Sequence, residues 1–174
     1  AGKITIHMLM AILIVSILFV LLSKLNTKKS TLVFNRYISN LTLLSLILLI
    51  IQVVSGTEIR QFVDLEMVLN NYSEKNKWLI NPPQSFYFHR SFSIIIIAVN
   101  TLIFIKLRKM IIDSKVFRVI ILLLFIQILT GIIMYYFDFP FSTQPLHLLI
   151  SSLIIGFQVY FYVLLNKKKY DIKN

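Results

Sequence analysis

The chain contains no cysteine. That excludes disulfides, thiolate metal sites and iron–sulfur clusters. Charge is also scarce: 14% of the 174 residues are charged, against roughly a quarter in a soluble domain. Acidic residues are the rarer sign, 7 against 18 Lys and Arg, and none lies inside a long apolar run. A buried carboxylate relay is therefore not on offer within those runs. What fills the chain is hydrocarbon, with 57% hydrophobic residues and a mean hydropathy of +0.82. The formal net charge of +11 suggests nucleic acid at first sight. The basic residues, however, gather beside apolar runs, where they set membrane topology. Membrane lipid is the expected surroundings, with no nucleic-acid partner.

Five apolar runs are long enough to span a bilayer as helices. They cover Ile4 to Leu22, Tyr37 to Ser55, Ser85 to Ile105, Val119 to Phe137 and Leu146 to Leu165. A polar connector, residues 57–83, separates the second run from the third, with a short helix expected over Leu65 to Asn70. Trp78 and Pro82-Pro83 mark its return to the interface. The first run lacks a charged n-region and a small-residue cleavage site, so it reads as a span and not a signal peptide. The first residue is Ala1, which points to a processed chain or a piece of a longer one.

The basic residues orient the spans. Lys24, Lys28, Lys29, Arg36, Lys106, Arg108, Lys109, Lys115, Arg118 and Lys167 to Lys169 fall on one side. The positive-inside rule makes that side cytoplasmic, with the N-terminus outside and the C-terminus inside.

His7, His89 and His147 then open the first, third and fifth spans, all at the outer level. A lone histidine near a helix end is ordinarily an interfacial polar residue. Two imidazoles facing each other across a small bundle can instead ligate a haem iron from both sides. A zinc-type site lacks the carboxylate or cysteine needed to complete it.

A repeat strengthens the pattern. I-Q-V-V-S-G at Ile51 to Gly56 matches I-Q-I-L-T-G at Ile126 to Gly131, and each is followed by an outer loop, a proline and a helix opening with His. The last four spans are thus expected to form a pseudo-twofold four-helix bundle. Gln and Gly four apart share a helix face. Gln52 and Gln127 are candidates to donate to a ligand histidine or a polar edge, and the glycines admit close approach. Plain small-residue packing with an interhelical Gln bond is the alternative. Arg90, beside His89, is a candidate partner for a haem propionate or for lipid phosphate. Arg60 and Lys77 are weaker candidates.

Together, Q-x-x-x-G, G-T-E-I-R-x-x-x-D, an outer loop with Trp and Pro, H-R, a second Q-x-x-x-G and L-H resemble the haem A synthase family. The resemblance implies two fused four-helix bundles. It also implies oxidation of a methyl group of haem O to the formyl group of haem A for terminal oxidases. A b-type haem is implied between the histidine pair of the C-terminal bundle, which His89 and His147 match. His7, in I-H-M-L-M-A, resembles the histidine of the N-terminal bundle that receives substrate haem. Residues 1–30 then belong to that N-terminal bundle and 31–174 form the haem b bundle, the last five of eight spans. The family's glutamate, one turn before its first histidine, has no counterpart here; Phe86 stands one turn before His89. No catalytic acid or base is assigned. Implied partners are haem O and, for delivery or use of the product, haem O synthase or a terminal oxidase complex. The implied location is a bacterial cytoplasmic membrane. The competing readings are a non-catalytic b-type cytochrome subunit and a transporter or structural subunit without cofactor.

Overall fold

The computed structural model describes residues 2–25, 34–73, 75, 78–110 and 114–171, the last five as backbone alone. Five helices make up the described chain: α1 (Gly2–Leu25), α2 (Arg36–Leu69), α3 (Gln84–Lys109), α4 (Lys115–Tyr136) and α5 (Thr143–Asp171). Each is long and apolar enough to cross a membrane. The protein is an all-α, multi-pass membrane protein. No strand occurs among the described residues.

Local chemistry sets the helix starts. Asn35 caps α2 by accepting from the Ile38 amide at 3.1 Å. Ser114 caps α4 by accepting from Phe117 at 3.2 Å. Both satisfy first-turn amides that a helix cannot pair internally. Pro83 immediately precedes α3, and Pro145 falls in the first turn of α5, where a missing N–H breaks no helical bond.

α2 departs from expectation. The second run does not end in a connector at residue 57; the helix continues to Leu69, 34 residues in all. Leu65 to Leu69 is its last part and not a separate helix. Its length is about 51 Å, well beyond a hydrocarbon layer of about 30 Å. Hydropathy fell at Thr57, but no proline or glycine follows until Pro82 to stop the backbone. Arg60 and Asp64, one turn apart, form an ion pair at 3.0 Å along the extension. Asn71 and Tyr72, with φ of 50° and 59°, finally turn the chain. Lys77 and its neighbours Glu74 and Asn76 lie outside the described residues, as do Lys28 and Lys29.

Packing is uneven along the bundle. α2 pairs with α3, α4 with α5, and the hairpins join chiefly through α2 and α5; α1 lies mainly on α5. At the end away from His89 and His147 the core is solid. Ile38, Ile103, Phe117, Ile120, Phe161 and Leu165 are fully buried there, and Phe117 meets Phe161 edge to face at 5.0 Å. At the histidine end small residues take over: Ser55, Gly56 and Thr57 on α2, Thr130 and Gly131 on α4. Space opens between the helices where side chains are short.

Candidate functional site

That space is a cleft of about 310 Å³. Its walls are mainly apolar, with Val53, Ile96, Leu124 and Ile154 among them. His89 from α3 and His147 from α5 both line it.

Each histidine is held by the neighbouring helix of its own hairpin. Gly56 provides the room for His89: a Cβ at position 56 would stand 3.1 Å from the ring's Cε1. The Ser55 hydroxyl donates to the Gln52 carbonyl at 2.9 Å. His89 Nδ1 lies 3.1 Å from that hydroxyl and 3.2 Å from the same carbonyl. A carbonyl only accepts, so Nδ1 is the protonated nitrogen. In the neutral ring Nε2 then keeps a bare lone pair, the form a metal ligand requires.

The second hairpin repeats the set. The Thr130 hydroxyl donates to the Gln127 carbonyl at 2.9 Å and lies 2.8 Å from His147 Nδ1. With its own proton engaged there, the hydroxyl accepts from His147 Nδ1. A Cβ at Gly131 would sit 3.6 Å from His147 Cε1. So the glycines admit imidazole rings, and the hydroxyl before each glycine fixes the Nδ1 proton, joined at His89 by the Gln52 carbonyl.

The Q-x-x-[ST]-G pattern contained those hydroxyls. Helical spacing singles out its Gln and Gly and gives Ser55 and Thr130 no role, because a hydroxyl in an apolar helix commonly bonds back to its own backbone. Gln52 makes the interhelical bond of the alternative reading. Gln52 Nε2 donates to the backbone oxygen of His89 at 2.9 Å, not to its ring. The side-chain oxygens of Gln52 and Gln127 are buried with no hydrogen-bond partner.

The charged candidates separate. Arg60 lines the cleft but is engaged: Nε donates to Asp64 at 3.0 Å, and Nη1 donates to Gln144. Arg90 also lines the cleft. It is exposed, and its guanidinium carbon lies 5.8 Å from the Tyr135 ring centroid. Two loops close over the cleft. Leu79 and Phe139 line it, and Trp78 packs on Phe139 with ring centroids 5.7 Å apart.

His7 stands apart. It is exposed and does not line the cleft, whereas its neighbour Met8 does. Successive helix residues point about 100° apart, so one helix can face two ways. A hydrogen bond of 2.8 Å between Thr5 and Thr57 ties α1 to α2 beside Gly56.

Chemically, the cleft offers two imidazoles held at Nδ1 with Nε2 unpartnered, apolar walls and a guanidinium at the rim. Among the described residues no group of three or more His, Cys, Asp or Glu could hold a bare metal ion. Comparison with curated proteins and with solved structures gives no match. The sequence model of one family, described as cytochrome oxidase assembly protein, matches residues 3–159. That interval contains all three histidines and both Gln-to-Gly motifs. The chain therefore belongs to the COX15-CtaA family of cytochrome oxidase assembly proteins, the haem A synthase family.

Proposed function

We propose that this chain is a haem A synthase-type oxidoreductase whose cleft holds a b-type haem between His89 and His147. The observation that carries the reading is the paired placement of two imidazoles in one apolar cleft, each fixed at Nδ1 and free at Nε2. A haem fits these residues on two further counts. The walls suit a flat apolar macrocycle, and Arg90 is placed at the rim to pair with a propionate.

Bound there, haem supplies one-electron redox chemistry. The residues around it do the rest. His89 and His147 would ligate the iron, while Ser55 and Thr130 hold their tautomers. Val53, Ile96 and Ile154 keep water out. Among the described residues no carboxylate lines the cleft, and a haem held by both histidines would have no iron position left for a substrate. A haem held here would supply electron transfer, and oxidation of the haem O methyl group to the formyl of haem A would belong to a second haem position. We assign that position to His7 on the other face of α1, and α1 to an N-terminal bundle of the complete enzyme. The twice-used set of Gln, hydroxyl, Gly and His supports a pseudo-twofold relation between the hairpins. The location that follows is a bacterial cytoplasmic membrane, with the histidine end outside. Haem O is the substrate, and haem O synthase or a terminal oxidase complex are the proposed partners.

A closed bis-histidine site equally suits a b-type cytochrome without catalysis. Incubation with haem O followed by pigment extraction separates the two, since only the synthase forms haem A. His89→Ala and His147→Ala should each lose the Soret band of the bound haem. A purified protein with no Soret band, and variants as stable as wild type, would mean a membrane subunit without cofactor.

A further inference from the structure

Deep in the bundle lies a polar cluster that the site does not use. Ser45 of α2, Asn100 of α3 and Gln158 of α5 are each 0% exposed. Asn100 Nδ2 donates to Ser45 Oγ at 2.8 Å and to the Ile96 carbonyl at 2.8 Å. Gln158 Nε2 donates to Asn100 Oδ1 at 2.5 Å and to Ser45 Oγ at 2.9 Å. Three helices meet in one hydrogen-bonded knot.

Its position is the informative part. Asn100 follows His89 by eleven residues on α3, and Gln158 follows His147 by eleven residues on α5. Eleven residues are about three helical turns, so each amide lies on its histidine's face, roughly 16 Å deeper. The helices carrying the histidines barely touch: each packs on its hairpin partner, and the cleft lies between them. The Asn100–Gln158 bond joins them directly.

Stability alone is a poor account of this cluster. A buried polar group costs free energy unless fully paired, and Gln158 Oε1 has no partner. An interhelical hydrogen bond in a membrane returns little net stability on average. What such groups supply well is register. A one-residue slide of α5 past α3 would shift Gln158 by about 1.5 Å and swing it by about 100°. Both its bonds would break inside an apolar core. The same slide would move His147 in depth against His89.

We propose that Ser45, Asn100 and Gln158 form a register lock that sets the relative depth of His89 and His147. Asn100 and Gln158 are thereby positioning residues for the ligand pair. The consequence for haem rests on the function proposed above; the register claim rests on geometry alone.

The absence of cysteine makes the register directly measurable. Ile94→Cys on α3 and Leu149→Cys on α5, at exposed positions, accept spin labels in the purified full chain. Wild-type background should give one narrow label-to-label distance distribution without added haem. Asn100→Leu/Gln158→Leu should broaden it. The same variant should raise the haem dissociation rate about three- to fifteenfold, the range an interhelical hydrogen bond in a membrane supports, and bring partial high-spin character to the spectrum. The amide swap Asn100→Gln/Gln158→Asn, which conserves the combined length, should restore both. If the double-Leu variant does not fold, Gln158→Met removes the bonds while keeping the length and is read the same way. Unchanged distances with wild-type haem dissociation overturn the lock. Broadened distances in the variant, where the wild-type protein itself takes up no haem, uphold the lock and overturn the haem reading instead.

Discussion

Gly56 and Gly131 occupy matching places in the repeat, yet an added methyl group should affect them differently. In Gly56→Ala the new Cβ would lie 3.1 Å from His89 Cε1 and 3.5 Å from Nδ1. The first distance is tighter than nine in ten natural Cβ contacts, so the ring must retreat by a few tenths of an ångström. It is not free to do so. Its Nδ1 is already 3.1 and 3.2 Å from its two partners, at the long end of a good hydrogen bond. Turning the ring about 30° off its rotamer costs about 0.5–1.5 kcal/mol, and weakening the Nδ1 bond costs up to about 1 kcal/mol more. Together these lower haem affinity about five- to thirtyfold, the ratio that about 1–2 kcal/mol represents. Folding should not suffer, because Ala in a helix is favoured over Gly by about 0.8–1.0 kcal/mol. In Gly131→Ala the contact is 3.6 Å, ordinary van der Waals distance, and affinity should stay within about twofold. The assay is titration of apoprotein with haem at the Soret band, alongside thermal unfolding of each variant. Equal losses in both variants, or none in Gly56→Ala, would refute the claim that ring clearance at Gly56 limits binding.

Other outcomes follow from the same geometry. Thr130→Val keeps the shape of the side chain and removes the hydroxyl from His147 Nδ1, so haem affinity should fall about tenfold or more, the usual cost of losing a partner of a ligand histidine; an affinity equal to wild type would show that this hydroxyl does not orient the ring. Ser55→Ala should fall less, since His89 retains the Gln52 carbonyl at 3.2 Å. Gly156→Ala places a Cβ 2.5 Å from Phe19 Cδ2 and 3.1 Å from Val15, and this overpacking should cost about 1–3 kcal/mol, read as loosened docking of α1 by proteolysis or hydrogen exchange. His7→Ala should leave the Soret band of the cleft haem intact, because His7 does not line that cleft; its loss would place His7 in the wrong site.

The sequence by itself settled a good deal. Long uncharged runs between basic blocks determine five membrane helices, because backbone polar groups in lipid must pair within a helix. The duplicated Q-x-x-[ST]-G, each time followed by a helix that opens with histidine, was legible as a repeat along the chain. Composition also removed cysteine chemistry outright. These are local facts, carried by residue type and spacing along one helix.

Tertiary structure decided what depends on neighbouring helices. Hydropathy ended α2 near Thr57, but backbone hydrogen bonds continue without hydropathy, and nothing in the chain broke them before Leu69. Spacing put Gln52 and Gly56 on one face but could not say that Gly56 faces a ring or that Gln52 donates to the His89 backbone. It could not separate Arg60, held by Asp64 and Gln144, from the exposed Arg90. The eleven-residue step from His89 to Asn100 and from His147 to Gln158 was visible in the chain, but amides in apolar helices are ambiguous until a partner is known. Which side chain meets which is fixed by helix packing, and packing is a property of pairs of surfaces that no single stretch of sequence contains.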